Sequence, residues 1–122
     1  MRVLVCGSRD YTNRLLITER LCALQDDGYD TLIEGEARGA DIIAKQAGEA
    51  LGMIILPFPA NWDKYGKRAG YIRNQQMLDE GHPDLVVAFY TGPTKSRGTQ
   101  MMVSLASNAG VPIIKYMDRE AK

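Results

Sequence analysis

The sequence has no long apolar segment. None of its apolar runs approaches the roughly 20 consecutive residues that a membrane-spanning helix requires. Met1 is followed almost at once by the short apolar run at residues 3–6, whereas a secretory signal would need a basic region and then a longer apolar stretch. We therefore predict that the protein does not enter a membrane and that it is cytoplasmic.

An excess of charge of one sign is also absent, since fifteen basic residues balance fifteen acidic residues. A balanced chain exerts no general attraction on nucleic acid or on an anionic membrane, so neither is an expected partner. If the protein binds an anion, the binding must come from a local group of positive side chains.

Cysteine and histidine are scarce, with two residues of the first type and one of the second. Cys6 and Cys22 do not form a closely spaced metal-binding pair, and a chain of 122 residues can build a core without a disulfide. We predict that both thiols are reduced, that Cys6 packs at a strand end, and that the protein holds no metal and no cofactor. His82 is assigned no role.

Short apolar runs rich in β-branched residues alternate with segments of helical spacing. The five runs are residues 3–6, 31–34, 53–58, 85–89 and 112–116. Continuous apolar strands are typical of a parallel sheet that helices cover on both faces. With a right-handed crossover at each step, we predict one Rossmann-like α/β domain over residues 1–122, with a doubly wound sheet in the order 3-2-1-4-5.

The helical segments carry two further signals. Three glycines follow predicted helices and are expected to take the left-handed conformation that ends them: Gly28, Gly52 and Gly110. In the second helix, Ala40, Ala44 and Ala47 form a face with almost no side-chain bulk. That face would let the helix axis approach the sheet closely.

In a doubly wound sheet, ligands bind beyond the carboxyl ends of the strands, where the winding reverses between strands one and four. The loops after strands one, two and four should therefore carry the site. Their candidate binding residues are Gly7, Ser8 and Arg9 after the first strand, Gly35, Arg38, Gly39 and Asp41 after the second, and Arg97, Gly98 and Thr99 after the fourth.

The loop after strand four favours a phosphate. Gly98 lets backbone N–H groups face a ligand, the helix that follows adds partial positive charge, and Lys95 and Arg97 place two cations beside it. Thr99 could instead be an ordinary N-cap, which needs no ligand. The loop matches neither a P-loop nor a GxGxxG fingerprint.

Residues 61–74 combine positive charge with aromatic rings: Lys64, Lys67, Arg68 and Arg73 are interleaved with Trp62, Tyr65 and Tyr71. This pattern predicts a local anion site with aromatic surfaces for a base or a sugar, and the alternative is a helix with an ordinary charged face. Arg73 and Asn74 lie beside the apolar stripe of their helix, so they need partners from a ligand or from the neighbouring loop. Lys67, Arg73 and Asn74 complete the candidate binding residues.

Three carboxylates occupy the turn after strand two. Glu34, at the carboxyl end of the strand, could bind a ribose hydroxyl or act as a base, and it is a candidate catalytic residue together with Glu36. Asp41 most simply favours the second helix through its dipole and by capping.

These motifs, in this order, resemble the YspA-related branch of the SLOG superfamily, a Rossmann-like group that includes the Lonely Guy phosphoribohydrolases and DNA-processing protein A. The resemblance covers nearly the whole chain. It rests on Gly7-Ser-Arg9, Gly35-x-Ala-Arg-Gly-Ala-Asp41, Pro59-Ala-x-Trp62, Gly66-Lys67, Arg73-Asn74, Val87-Ala-Phe89, and Arg97-Gly-Thr99 with Met102.

The resemblance implies a domain that binds a nucleotide or nucleotide-derived ligand across its glycine-rich loops, as a sensor or as an enzyme. Two positions depart from the pattern. Glu36 stands where the pattern usually has a second glycine, which narrows the space in that turn. Met102 stands where Lonely Guy enzymes carry a glutamate that assists cleavage of the N-glycosidic bond, so that activity is not carried over.

Three hypotheses follow. The first is a domain that binds a nucleotide-derived small molecule, and the second is a hydrolase that cleaves an N-glycosidic or phosphate bond with Glu34 or Glu36. The third is a nucleic-acid module, which the zero net charge disfavours. We also expect a homo-oligomer, because related folds pair through helices.

Overall fold

A computed structural model of the protein describes residues 1–91 and 97–118. Strands and helices alternate along the chain as predicted. In order, they are β1 (Arg2–Gly7), α1 (Arg14–Asp26), β2 (Thr31–Glu34), α2 (Ala40–Ala50), β3 (Ile54–Pro57), α3 (Trp62–Tyr65), a 3₁₀ turn (Gly66–Arg68), α4 (Ala69–Gly81), β4 (Leu85–Thr91), α5 (Arg97–Asn108) and β5 (Ile113–Asp118).

The five strands form one parallel sheet in the order β3-β2-β1-β4-β5, which confirms the predicted topology. β1 lies at the centre, where Val3 is in register with Leu32 of β2 on one side and with Leu85 of β4 on the other. The winding therefore reverses between β1 and β4. A crevice is expected there, beyond the carboxyl ends of the strands.

Helices cover both faces of the sheet, and each face has its own apolar core. Ile17 of α1 and Ala44 of α2 pack with Val5 on one face, whereas Met77 of α4 and Met102 of α5 pack on the other face. The alternation of side chains along β1 supplies both cores, because successive residues of a strand point to opposite faces. Burial on both sides explains the continuous apolar sequence of the central strands.

The edge strands are less buried than their apolar sequences predict. Ile54 of β3 is 59% exposed and Met117 of β5 is 48% exposed. Both strands have a neighbour on one side only, so helices do not cover them as they cover β1 and β4. The expectation of burial on both faces holds for the three inner strands.

The glycine and alanine predictions are confirmed. Three glycines, Gly28, Gly52 and Gly110, take positive φ values of 102°, 78° and 78° after α1, α2 and α5. At the start of α2, a Cβ built on Gly7 would lie 2.6 Å from the Cβ of Ala40. The small residues on both sides therefore permit the close approach of α2 to β1.

The start of α5 rules out the alternative that Thr99 is the N-cap of this helix. α5 includes Arg97, so Thr99 lies inside the first turn and is not the N-cap. Lys95, the second cation predicted beside this turn, is outside the described residues. Within residues 1–91 and 97–118, no helix has the length and apolar character needed to span a bilayer.

Candidate functional site

Two adjoining hollows lie at the carboxyl edge of the sheet. The inner hollow has a volume of about 280 Å³ and lies at the reversal of the winding. Its walls come from the loop after β1, the turn after β2, α4 and the first turn of α5. The polar or glycine residues that line it are Gly7, Arg9, Asp41, Arg73, Asn74, Arg97, Gly98 and Thr99.

The outer hollow has a volume of about 430 Å³. Arg9, Ala37 and Arg73 line both hollows, so the two spaces share a wall. The remaining lining residues of the outer hollow are Gly35, Glu36 and Arg38 from the turn after β2, together with Pro59, Ala60 and Trp62 from the segment after β3. The loops after β1 and β2 thus contribute to both spaces.

Asp41 holds the turn after β2 in place. Its Oδ2 atom accepts hydrogen bonds from the backbone N–H groups of Gly35 at 3.1 Å and of Ala37 at 3.4 Å. Burial raises the pKa of the Asp41 carboxyl to about 6, and the positive charges of Arg73 and Arg9 oppose that rise. Asp41 lies in the first turn of α2, where a negative charge interacts favourably with the helix dipole. Its hydrogen bonds go to the turn before the helix and hold that turn closed.

Two glycines in this turn have no room for a side chain. A Cβ on Gly35 would lie 2.9 Å from Oδ2 of Asp41 and would also meet the guanidinium of Arg73. Gly39 has a φ of 82°, and a Cβ there would collide with the backbone carbonyl oxygen of Ser8. Gly39 therefore lets the loops after β1 and β2 come together, and Gly35 leaves room for the side chains of Arg73 and Asp41.

Arg73 and Asn74 join the turn after β2 to the start of α5. Arg73 donates through Nη1 to the carbonyl oxygen of Gly35, and through Nε to Oδ1 of Asn74 at 2.9 Å. Asn74 in turn donates through Nδ2 to the carbonyl oxygen of Gly98 at 3.2 Å. The sequence predicted partners from a ligand or a neighbouring loop, and the structure supplies loop partners.

The inner hollow carries an excess of positive charge. Among the described residues, Arg9, Arg73 and Arg97 line it, and Asp41 is the one acidic residue that does. Burial lowers the pKa of Arg73, but arginine stays protonated at neutral pH. The excess is close to two positive charges, which matches the charge of a phosphate monoester near neutral pH.

The candidate catalytic residues differ in their access to these spaces. Glu34 is fully buried at the end of β2, and its Oε1 atom accepts a hydrogen bond from the Glu36 backbone N–H at 2.7 Å. Burial, with the adjacent Glu36 side chain, raises the pKa of Glu34 to about 8. Glu36 lines the outer hollow, whereas Glu34 is not among the lining residues of either hollow.

Glu36 takes an unusual backbone conformation, with a φ of 59°. This left-handed region suits glycine, which explains why a glycine would fit this position of the turn. The Glu36 carboxylate lies 2.9 Å from Nζ of Lys45 on α2, and its pKa is lowered first by the Glu34 side chain and then by Lys45. The ion pair holds the Glu36 side chain toward α2.

Three predicted binding residues are not among those that line the hollows: Ser8, Gly39 and Lys67. Ser8 is buried, and its Oγ accepts a hydrogen bond from the backbone N–H of Thr91 at 3.1 Å. It ties the end of β4 to the loop after β1. Lys67 is exposed on the 3₁₀ turn. Direct ligand contact by these residues stays a prediction.

The sequence did not single out Cys6, Ala37 or Met77 as lining residues, yet all three line the inner hollow. Cys6 packs at the end of β1 as predicted, and burial raises the pKa of its thiol well above the usual value. The period of two along β1 places Cys6 on the α4 and α5 face with Leu4, which is the signal that could have found it.

The fold defines the class of protein: an α/β protein of the Rossmann-like type with a five-stranded parallel sheet. The chain belongs to the YspA, cpYpsA-related SLOG family, whose sequence model matches residues 1–65. It is also 34% identical, over 97% of its length and 98% of the relative, to the Gene 61 protein of Mycobacterium phage D29. The predicted family is confirmed.

Among solved structures, the chain is similar to two variants of an organophosphorus hydrolase from Deinococcus radiodurans. Each has 16% sequence identity and a TM-score of 0.35. The match to the first variant covers 94% of this chain and 48% of the hydrolase chain. The match to the second covers 95% of this chain and 49% of the hydrolase chain. Similarity at this level carries no functional argument.

Proposed function

We propose that the protein binds a nucleotide or nucleotide-derived small molecule in the inner and outer hollows, with a phosphate in the inner one. The observation that carries the proposal is the meeting of Arg9, Arg73 and Arg97 around a space of about 280 Å³. Membership of the SLOG family supports a ligand-binding or nucleotide-related role.

The inner hollow suits a phosphate for two physical reasons. Guanidinium groups offer paired N–H donors whose geometry matches phosphate oxygens. Arg97 and Gly98 also lie in the first turn of α5, where backbone N–H groups and the helix dipole favour an anion. Arg73 uses two of its N–H groups for Gly35 and Asn74, which fixes the guanidinium in place while leaving the outer nitrogen Nη2 for a ligand.

Titration calorimetry tests this proposal with nucleoside mono- and diphosphates and ADP-ribose. We expect saturable binding that weakens about 10-fold or more in Arg97→Gln, because a charged hydrogen bond contributes about 1.5–3 kcal/mol. Arg97 is exposed, so its replacement should leave the fold intact. The matched control is Lys115→Gln, which removes an exposed cation from the edge strand β5.

Two results would contradict the proposal. One is the absence of a saturable signal at millimolar concentrations of every compound. The other is equal loss of affinity in Arg97→Gln and Lys115→Gln, which would indicate a general effect of charge and not a site.

A hydrolase acting on a nucleotide derivative is the second candidate, and the raised pKa of Glu34, to about 8, is the observation that favours it. A carboxyl group protonated at neutral pH is typical of a general acid. Its burial behind the hollows weighs against this role. Release of free base or phosphate that persists unchanged in Glu34→Gln would remove Glu34 from any such mechanism.

A nucleic-acid module is a weaker candidate because the net charge is zero.

We also propose that the protein is a single ligand-binding domain, that it is located in the cytoplasm, and that it forms a homo-oligomer. Sedimentation at several protein concentrations tests the oligomeric state, and a monomer at all of them would contradict the proposed homo-oligomer.

A further inference from the structure

We infer that Trp62 is a stacking platform for the base of the ligand, so that the ligand class is nucleoside phosphates with the phosphate in the inner hollow and the ring in the outer one. This inference rests on the proposed function and deepens it. Sugar phosphates and inorganic phosphate would fill the inner hollow alone. They would therefore bind without contacting Trp62.

Trp62 combines exposure with a fixed position. Its side chain lines the outer hollow and is 51% exposed. Trp62 opens α3, where the Asn61 side chain accepts a hydrogen bond from the Lys64 backbone N–H at 3.1 Å and so caps this turn. A Cβ built on Gly70 would lie 3.6 Å from Cη2 of Trp62, so the far edge of the indole rests close to α4.

An exposed indole held at one edge is suited to stacking. The ring offers a flat apolar face. The side chain has only two rotatable bonds, so ordering it on ligand binding costs little conformational entropy. Pro59 and Ala60 add apolar surface to the same hollow. The other exposed aromatic residues of the segment do not line the hollows: Tyr65 lines a neighbouring groove with Phe58, and Tyr71 lines neither hollow.

The two hollows differ in their apolar surface and not in the number of arginines that line them. Arg9 and Arg73 line both, Arg97 adds a third arginine to the inner hollow, and Arg38 adds a third to the outer hollow. The inner hollow also has the first turn of α5, whereas the outer hollow has the Trp62 indole and its apolar neighbours. Arg9 and Arg73 line both spaces, so one molecule with an anionic end and a planar end can occupy them together.

Fluorescence gives a direct test, because Trp62 is the single tryptophan of the sequence. The probes are AMP, GMP, CMP and UMP, with ribose 5-phosphate as the compound that lacks a base. We expect the nucleotides to quench or shift the Trp62 emission in a saturable way. Ribose 5-phosphate should bind by calorimetry and leave the emission almost unchanged.

Variants give a second test. Trp62→Ala should weaken the binding of the nucleotides about 10-fold to 100-fold, since loss of base stacking has an effect of this size. Trp62→Phe should recover most of the affinity, and binding of ribose 5-phosphate should change less than about twofold in both variants. Tyr71→Ala is the control, because Tyr71 is a half-exposed aromatic residue of α4 that is not among the residues lining either hollow.

The inference fails separately from the proposed function. If nucleotides bind with unchanged affinity in Trp62→Ala, or bind without altering Trp62 emission, the platform is wrong while nucleotide binding stands. If Trp62 emission depends on protein concentration without ligand, the indole lies between copies of the chain and the platform is again wrong. If neither nucleotides nor ribose 5-phosphate bind, both ideas fall.

Discussion

The buried carboxyl of Glu34 should make the stability of the protein depend on pH. Burial and the Glu36 side chain raise the pKa of Glu34 from 4.5 to about 8 in the folded protein. The folded state therefore keeps a proton in a pH range where the unfolded chain has lost it. Stability should fall as pH rises between these two values, and it should be level above them.

The expected loss between pH 6 and pH 8.5 is about 2.5 kcal/mol, because the slope of about 1.4 kcal/mol per pH unit applies only up to the pKa of the folded state. Other shifted groups act mainly outside this range. The pKa of Asp41, raised from 3.8 to about 6, lowers stability mostly below pH 6 and adds only about 0.4 kcal/mol above it, and the lowered pKa of Glu36 acts below 4.5. Glu34 is thus the main source of any slope there.

Urea denaturation at pH 6 and pH 8.5, followed by far-ultraviolet circular dichroism, measures this effect. Glu34→Gln keeps the shape of the side chain without a titrating proton, so its stability should be nearly equal at the two pH values. Glu49→Gln, at an exposed position of α2, should keep the wild-type slope. A flat wild-type profile, or a slope that persists in Glu34→Gln, would refute the reasoning.

Three further outcomes follow from the loops around the hollows. Gly39→Ala should lower the free energy of unfolding by about 2 kcal/mol or more in urea titrations, because its φ is 82° and a side chain would meet Ser8; a loss below about 0.5 kcal/mol would argue against that close contact. Asn74→Ala should cost about 1–3 kcal/mol, since it removes the hydrogen bond to the Gly98 carbonyl, and unchanged thermal unfolding would contradict this. Glu36→Gly should change stability by less than about 1 kcal/mol, because relief of the positive φ offsets loss of the Lys45 ion pair; a larger loss in chemical denaturation would give the ion pair more weight.

The sheet order, and the presence of hollows beyond the carboxyl ends of the strands, could be predicted because both depend on short-range patterns. Five apolar runs with helical segments between them leave few topologies once the crossovers are right-handed. Ala40, Ala44 and Ala47 also predicted the close approach of α2 to the sheet, and the structure confirms it at Ala40, which lies against Gly7 of β1. The motifs shared with the SLOG family indicated which residues of the loops after β1, β2 and β4 are candidate binding residues.

The finer division of the site could not be predicted, since it depends on contacts between distant residues. The bond from Arg73 to Gly35 joins positions 38 residues apart, and the three residues that line both hollows come from the loop after β1, the turn after β2 and α4. The surroundings of Glu34 likewise include the backbone N–H of Glu36, a residue with a left-handed backbone whose side chain pairs with Lys45 of α2. Composition and spacing carry no signal for these arrangements.

A crystal structure of the protein grown with AMP tests the central claim most directly. The account predicts the phosphate within hydrogen-bond distance of Arg9, Arg73 and Arg97, and the adenine ring parallel to the Trp62 indole. AMP bound in the groove lined by Tyr65 and Phe58, or bound anywhere else while both hollows hold only water, would contradict it.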